Sequence, residues 1–113
     1  MNALSLQDLS AQLLEDARAA HSGRSAHTLH GGHDHVLRQT VLALANGYGL
    51  DEHDGPAEAT LQVLAGKIRL NVGEDSQELS AGDYLVIPPK RHSVQTLDDS
   101  VLLLTVATGA GKY

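Results

Sequence analysis

The apolar residues of this chain change period once. Between residues 6 and 20 they recur at helical spacing, as Leu6, Leu9, Leu13, Leu14 and Ala17, behind Ser5 and its acidic partner Asp8 three positions on. These positions predict an amphipathic helix with an N-cap. A helix this short is marginal alone in water, so its apolar stripe must dock, either on the outside of a sheet or on a second subunit.

After residue 21 helical spacing gives way to short β-type runs broken by turns. Residues 21–35 are rich in Ser, Gly and His and read as a linker with one short strand around 27–29. Residues 36–45 form a β-type run, and Asn46-Gly47-Tyr48-Gly49 signals a turn before a further strand. Residues 57–65 have β character, with Gly66 as the hairpin hinge or bulge that follows. In 67–72 polar and apolar residues alternate, so Ile68, Leu70 and Val72 face a core while Lys67, Arg69 and Asn71 face water. A turn over 73–76, a short strand over 77–79, a turn at 81–83 and a strand over 84–87 follow, and Pro88-Pro89 forbids continuation in a central ladder. A strand over 93–97, a turn at Asp98-Asp99 and the apolar run 101–107, which reads as buried on both faces, complete the series before a loose tail over 109–113. Short strands between turns, with almost no helix after residue 21, predict an all-β antiparallel sandwich or barrel preceded by one short helix.

At 113 residues the chain has room for one domain. We place the N-terminal helix and a His/Gly-rich arm over 1–35, the barrel over 36–108 and the tail over 109–113. With no Phe or Trp and three Tyr the core must be aliphatic, and the stacking platforms that single-stranded nucleic acid needs are missing. A formal charge of −6 adds repulsion from phosphate backbones, which argues against a nucleic-acid partner. The absence of cysteine excludes disulfides, thiolate nucleophiles and Cys-type metal sites, so any metal would need His and carboxylate ligands. No apolar run approaches a membrane span and the first residues lack a signal pattern, so we expect a soluble cytoplasmic protein without a membrane partner.

The candidate chemistry lies in two similar stretches. Over 47–66 and again over 82–96, a single histidine, His53 or His92, stands beside a Gly/Pro-punctuated turn next to a β-rich run. A fold that paired the two would bring two imidazoles together, groups that titrate near neutral pH and can donate or accept a proton. Five of the seven histidines lie in 21–35, among them His30, His33 and His35, and the reading divides between a solvated loop and one of them reaching the site. Arg38, a charge within an apolar strand, is either on the wet face or in the cavity, where it could hold a carboxylate. Glu52 and Glu58 read as mouth carboxylates that orient a histidine or join a metal if they do more. Tyr48 and Gln62 line either a pocket or a subunit interface.

These residues carry a family resemblance: the chain resembles a small single-domain cupin of the RmlC-like, cupin type-2 kind. That family's first motif runs Gly, five residues, His, one residue, His, three or four residues, Glu, six residues, Gly. Gly47, His53 and Gly66 occupy matching places, whereas Gly55 stands at the second His and Ala59 at the Glu, with Glu58 one residue out of register. The second motif runs Gly, five residues, Pro, one residue, Gly, two residues, His, three residues, Asn. Gly82 and Pro88 match, Lys90 stands for glycine, His92 arrives one position early and Thr96 replaces Asn.

The resemblance implies a cupin-type antiparallel barrel, a double-stranded β-helix or jelly roll, with His53 and His92 converging at its wide end. A ligand-sized pocket is expected there, and we take His53, His92, Arg38, Tyr48 and Glu58 as its candidate lining. Cupins with a catalytic metal use three His and one Glu, so a divalent transition metal such as Fe, Mn, Zn, Cu or Ni on His53 and His92 would need a further ligand from His30, His33, His35 or Glu58. Three functions follow: a non-catalytic or weakly catalytic barrel binding a small polar metabolite, a metal-dependent dioxygenase or isomerase, and a ligand-sensing regulatory module. What small cupins commonly do, together with the helix that needs a partner surface, implies a homodimer.

Overall fold

The computed structural model describes residues 1–55 and 58–108. The tail expected over 109–113 and the first residue of the strand expected from Ala57 lie outside the described residues. Helix α1 spans Leu6–Ala19, and Ser5 caps it by accepting a hydrogen bond from the Asp8 N–H at 3.1 Å. Nine strands follow among the described residues: β1 Arg24–His30, β2 Leu37–Leu44, β3 Gly49–His53, β4 Ala59–Ala65, β5 Lys67–Val72, β6 Asp75–Ser80, β7 Tyr84–Val86, β8 His92–Thr96 and β9 Ser100–Ala107.

All strand pairs are antiparallel, and they form two sheets, one ordered β1-β2-β9-β4-β7 and the other β3-β8-β5-β6. The inner faces meet in an aliphatic core of Leu42, Leu44, Leu61, Val63 and Leu102 from the larger sheet against Ile68, Leu70, Leu79 and Val94 from the smaller. Ile68 and Leu70 are buried as their alternation predicts, and Val72 shares their face but is half-buried because it stands at an open end. Helix α1 finds its docking surface within the chain. Leu13 and Ala17 pack on the outer face of the larger sheet over Val41, Ala43 and Val101, so the helix needs no second subunit for cover.

Four expectations change. The segment expected as a linker contains a seven-residue edge strand, β1, paired with β2. Its Ser, His and Thr give no apolar alternation because most of its side chains are exposed, and the ladder rather than a buried face holds it. Gly66 is neither hairpin hinge nor bulge but a corner, since β4 belongs to the larger sheet and β5 to the smaller; the bulge lies just before it, between Val63 and Ala65. The run over 101–107 is buried on both faces only at its start: Ser100, Val101 and Leu102 are buried, but from Leu103 onward the side chains are half-buried. Finally, Gly73 and Glu74 alone make the turn between β5 and β6, because Val72 already pairs with Asp75.

The corner near Gly66 is closed by side chains that capture backbone groups. Buried Ser100 accepts from the Lys67 N–H at 3.0 Å, with its hydroxyl near the carbonyls of Lys67 and Asp98. Asp99 accepts from the Asn46 N–H at 2.7 Å and from Arg18 Nε at 2.7 Å, tying α1 and the turn after β2 to the β8–β9 turn. These contacts, the Asn46 N–H first and Arg18 second, hold the Asp99 carboxyl below the usual carboxylate range.

Candidate functional site at the barrel mouth

At the end of the sandwich opposite that corner β3 finishes with His53 and β8 begins with His92. Leu50 pairs with Val94, but the register slips by one residue before His53 pairs with His92. Strict alternation from inward-facing Leu50 would turn Glu52 inward and His53 out. The bulge reverses that and sets His53 beside His92 on the inner face. The rings stand 4.4 Å apart between centroids and are inclined by 63°. Along the same row of the smaller sheet, Val72 pairs with His92 and Asp75 pairs with Val72.

The ring nitrogens are used alike. Nδ1 of His53 lies 2.8 Å from the Asp51 carbonyl oxygen, and Nδ1 of buried His92 lies 2.9 Å from that of Lys90. A carbonyl only accepts, so each ring donates an Nδ1 proton, and in the neutral ring Nε2 keeps its lone pair. The backbone thereby selects the tautomer and the ring orientation, as an outer partner does for a ligating histidine.

A cleft of ≈ 270 Å³ opens between the sheets beside this pair, lined by Leu70, Val72, Gln77, Leu85, Pro88 and Lys90 among others. It adjoins the imidazoles through Val72, the ladder partner of His92, and through Lys90, whose carbonyl receives the His92 proton. The larger notch of ≈ 540 Å³ beside α1 is lined by Leu, Ala and Val with Gln7 and Ser10 and contains no titratable group, so we place the chemistry at the mouth instead. At the rim Arg91 donates to Glu52 and to Asp54, each at 3.1 Å. Glu52 first and Asp54 second raise the pKa of the guanidinium, and Glu52 is thereby engaged as a solvated rim carboxylate.

The other expected site residues do not join the pair. Arg38 has the inner-face register opposite Val106 at this end, but it is exposed and donates to Thr108 Oγ1 at 3.2 Å and to the Gly32 carbonyl at 3.4 Å, so it holds the loop after β1. Tyr48 precedes β3 at the end away from His53 and covers Gly23, which removes it from a shared pocket. Glu58 is exposed and contributes its backbone carbonyl, which accepts from the Ala107 N–H. Gln62 pairs with Leu103 and Tyr84 on the outer face. His30 and His35 stack on each other with centroids 4.3 Å apart, and His35 Nδ1 accepts from the Gly32 N–H at 2.7 Å, forming a separate cluster.

Among the described residues no three His, Asp or Glu side chains are grouped so as to hold a metal. His53 and His92 offer two nitrogen donors, which falls short of the three protein ligands of a catalytic zinc site and further short of a six-coordinate one. The donor set does not fit a resident catalytic metal. Asp75 and Lys90 carried no site expectation in the sequence because each lies in a segment that reads as a turn; the pairing of Asp75 with Val72 and the lining of the cleft place them at the mouth.

This architecture, two antiparallel sheets closing on an aliphatic core with turn-borne histidines at one end, is a cupin barrel. Solved structures bear this out. The chain is similar to an RmlC-like cupin from Shewanella frigidimarina, with 22% identity, TM-score 0.68 and coverage of 80% of this chain and 81% of that one. It is similar to a cupin superfamily protein from Desulfitobacterium hafniense, with 14% identity, TM-score 0.69 and coverage of 75% and 77%. The DMSP lyase DddQ from Ruegeria pomeroyi shares the fold at 22% identity and TM-score 0.66, over 78% of this chain and 48% of that one. No protein-family model and no curated sequence matches the chain. No helix among the described residues is long and apolar enough to cross a membrane.

Proposed function

We propose that this barrel binds a small polar molecule at its mouth, with Nε2 of His53 and of His92 as the polar contacts and the adjoining cleft taking the rest of the ligand. The observation that carries this is the paired geometry: two imidazoles 4.4 Å apart, each with Nδ1 engaged by a carbonyl two residues back. Two neighbouring lone pairs favour a ligand that presents hydroxyl donors, and Lys90, Gln77 and Asp75 at the cleft suit a polyhydroxylated or hydroxy-acid molecule. With no third metal donor grouped beside the pair among the described residues, we read the barrel as a binding module with little or no catalysis of its own. That a DMSP lyase shares the fold does not shift this reading, because function resides in the site and not in the barrel.

The test is a thermal-shift screen against sugars and hydroxy acids, followed by calorimetry on any hit. A hit should be lost in a His53→Ala/His92→Ala variant and kept in Asn71→Ala, which alters the outer face of the smaller sheet. A hit that survives the double histidine substitution would refute the site. One transition-metal equivalent per untagged chain, lost in that same variant, would favour the metal-dependent enzyme.

A further inference from the structure

The turn after β7 fills the space from which a third imidazole would start. Pro88-Pro89-Lys90 closes tightly, with the Lys90 N–H donating to the Pro88 carbonyl at 2.8 Å. Its backbone lies against Gly55: a Cβ built there would stand 2.8 Å from the Lys90 carbonyl oxygen, 3.1 Å from that of Pro88 and 3.2 Å from the Lys90 nitrogen. Gly55 is the position at which the cupin motif carries its second histidine. Backbone atoms cannot rotate aside as a side chain can, so the same turn that shortens the second motif also closes the first to a ligating side chain.

In its place the turn brings a charge. Lys90 lines the ≈ 270 Å³ cleft and also the adjoining notch that Glu52, Asp75 and Arg91 share. Its carbonyl holds His92 Nδ1 at 2.9 Å, so imidazole and ammonium spring from one fixed segment of backbone. Arg18, Lys67, Arg69 and Arg91 are each committed to a carboxylate, whereas Lys90 makes no ion pair among the described residues. The rim carboxylates Glu52 and Asp54 are in turn engaged by Arg91. Within the cleft itself the one group of opposite charge is Asp75, which also makes no ion pair among the described residues.

We infer that Lys90 supplies the positive charge of this site, so that the mouth takes a short hydroxy acid as its carboxylate anion in preference to a neutral polyol. This rests on the reading of the mouth as a ligand site and narrows it to one class. The carboxylate pairs with the Lys90 ammonium, a compact charge on a flexible stem that can follow it. Hydroxyl groups further along the ligand donate to Nε2 of His53 and of His92 and to the Asp75 carboxylate, all of which accept. Asp75 repels a carboxylate from its own side of the cleft and thereby sets which end of the ligand lies where. At ~30 Å³ per water, ≈ 270 Å³ is room for about nine water-sized groups, the size of a hydroxy acid of about four carbons.

The test is calorimetry with L-threonate, D-erythronate and D-gluconate against their uncharged counterparts threitol, erythritol and glucitol, which keep the hydroxyls and lack the carboxylate. At least one acid should bind about tenfold or more tightly than its polyol at low salt. That advantage should be lost in Lys90→Met and retained in Lys90→Arg. It should also be retained in Lys67→Met, which removes the same charge from the outer face of the smaller sheet. Lys90 is exposed, so the far-UV circular dichroism spectrum should be unchanged by its substitution. Acids and polyols that bind equally, with both lost in His53→Ala/His92→Ala, overturn the role of Lys90 and leave the ligand site standing. Binding that survives the double histidine substitution overturns both. An acid preference that Lys90→Met leaves unchanged overturns the inference, and so does the failure of every acid to bind at millimolar concentration.

Discussion

Gly66→Ala tests the corner that joins the two sheets. Gly66 has φ +83°, a left-handed conformation that costs an L-residue roughly 1–2 kcal/mol. A methyl group there would also run into the Asp99 carbonyl oxygen and the Ser100 side chain and Cα. The carbonyl cannot rotate away, and the Asp99-Ser100 segment is itself tied to Asn46, Arg18 and Lys67, so any shift disturbs several contacts together. Gly82 supplies the control: its φ is +92° and nothing stands within 4 Å of the position a Cβ would take. Alanine also stiffens the unfolded chain at either site, which offsets about 0.4–1 kcal/mol. Gly82→Ala should therefore cost about 1 kcal/mol or less, and Gly66→Ala about 3 kcal/mol or more once steric displacement is added. With about 4 °C per kcal/mol for a domain of this size, the thermal midpoints should separate by roughly 8 °C. Urea unfolding followed by circular dichroism measures both variants, with the comparison made at equal m-values. Equal losses of stability in the two variants would show that backbone conformation accounts for the whole effect and that the corner is not closely packed.

Asp99 predicts an acid dependence. Its folded-state pKa is lowered, so its contribution is fully present above the unfolded value of about 3.9 and is lost as pH falls through the lower folded value. The thermal midpoint difference between the natural chain and Asp99→Asn should be clear at pH 6 and shrink steadily as the pH is lowered below about 3.9; a difference that does not shrink on acidification contradicts the assignment. Ser5→Ala removes the cap of α1 and should cost about 1 kcal/mol in urea unfolding, with an unchanged cost of zero arguing that the first turn frays in solution. Arg91→Ala should leave the thermal midpoint within error at moderate salt, because its pairs with Glu52 and Asp54 are exposed. A large drop would mean that the rim network supports the histidine pair.

The elements of this protein were legible in the sequence where one physical constraint dominates each. The capped apolar stripe of α1 and the period-two pattern of β5 depend on local spacing, and so did their prediction. The Gly, Pro and His punctuation shared by residues 47–66 and 82–96 was enough to suggest a cupin barrel with two facing imidazoles. Tertiary structure decided what local spacing does not encode. A one-residue bulge in β3, set by pairing with β8, turns His53 rather than Glu52 toward the core. Edge strand β1 exists because β2 offers it a ladder, not because its residues alternate. Tyr48 and Arg38 leave the pocket because strand direction and a neighbouring loop place them elsewhere. Side chains separated by forty residues meet only through register, and register is settled by the whole sheet packing its apolar face at once.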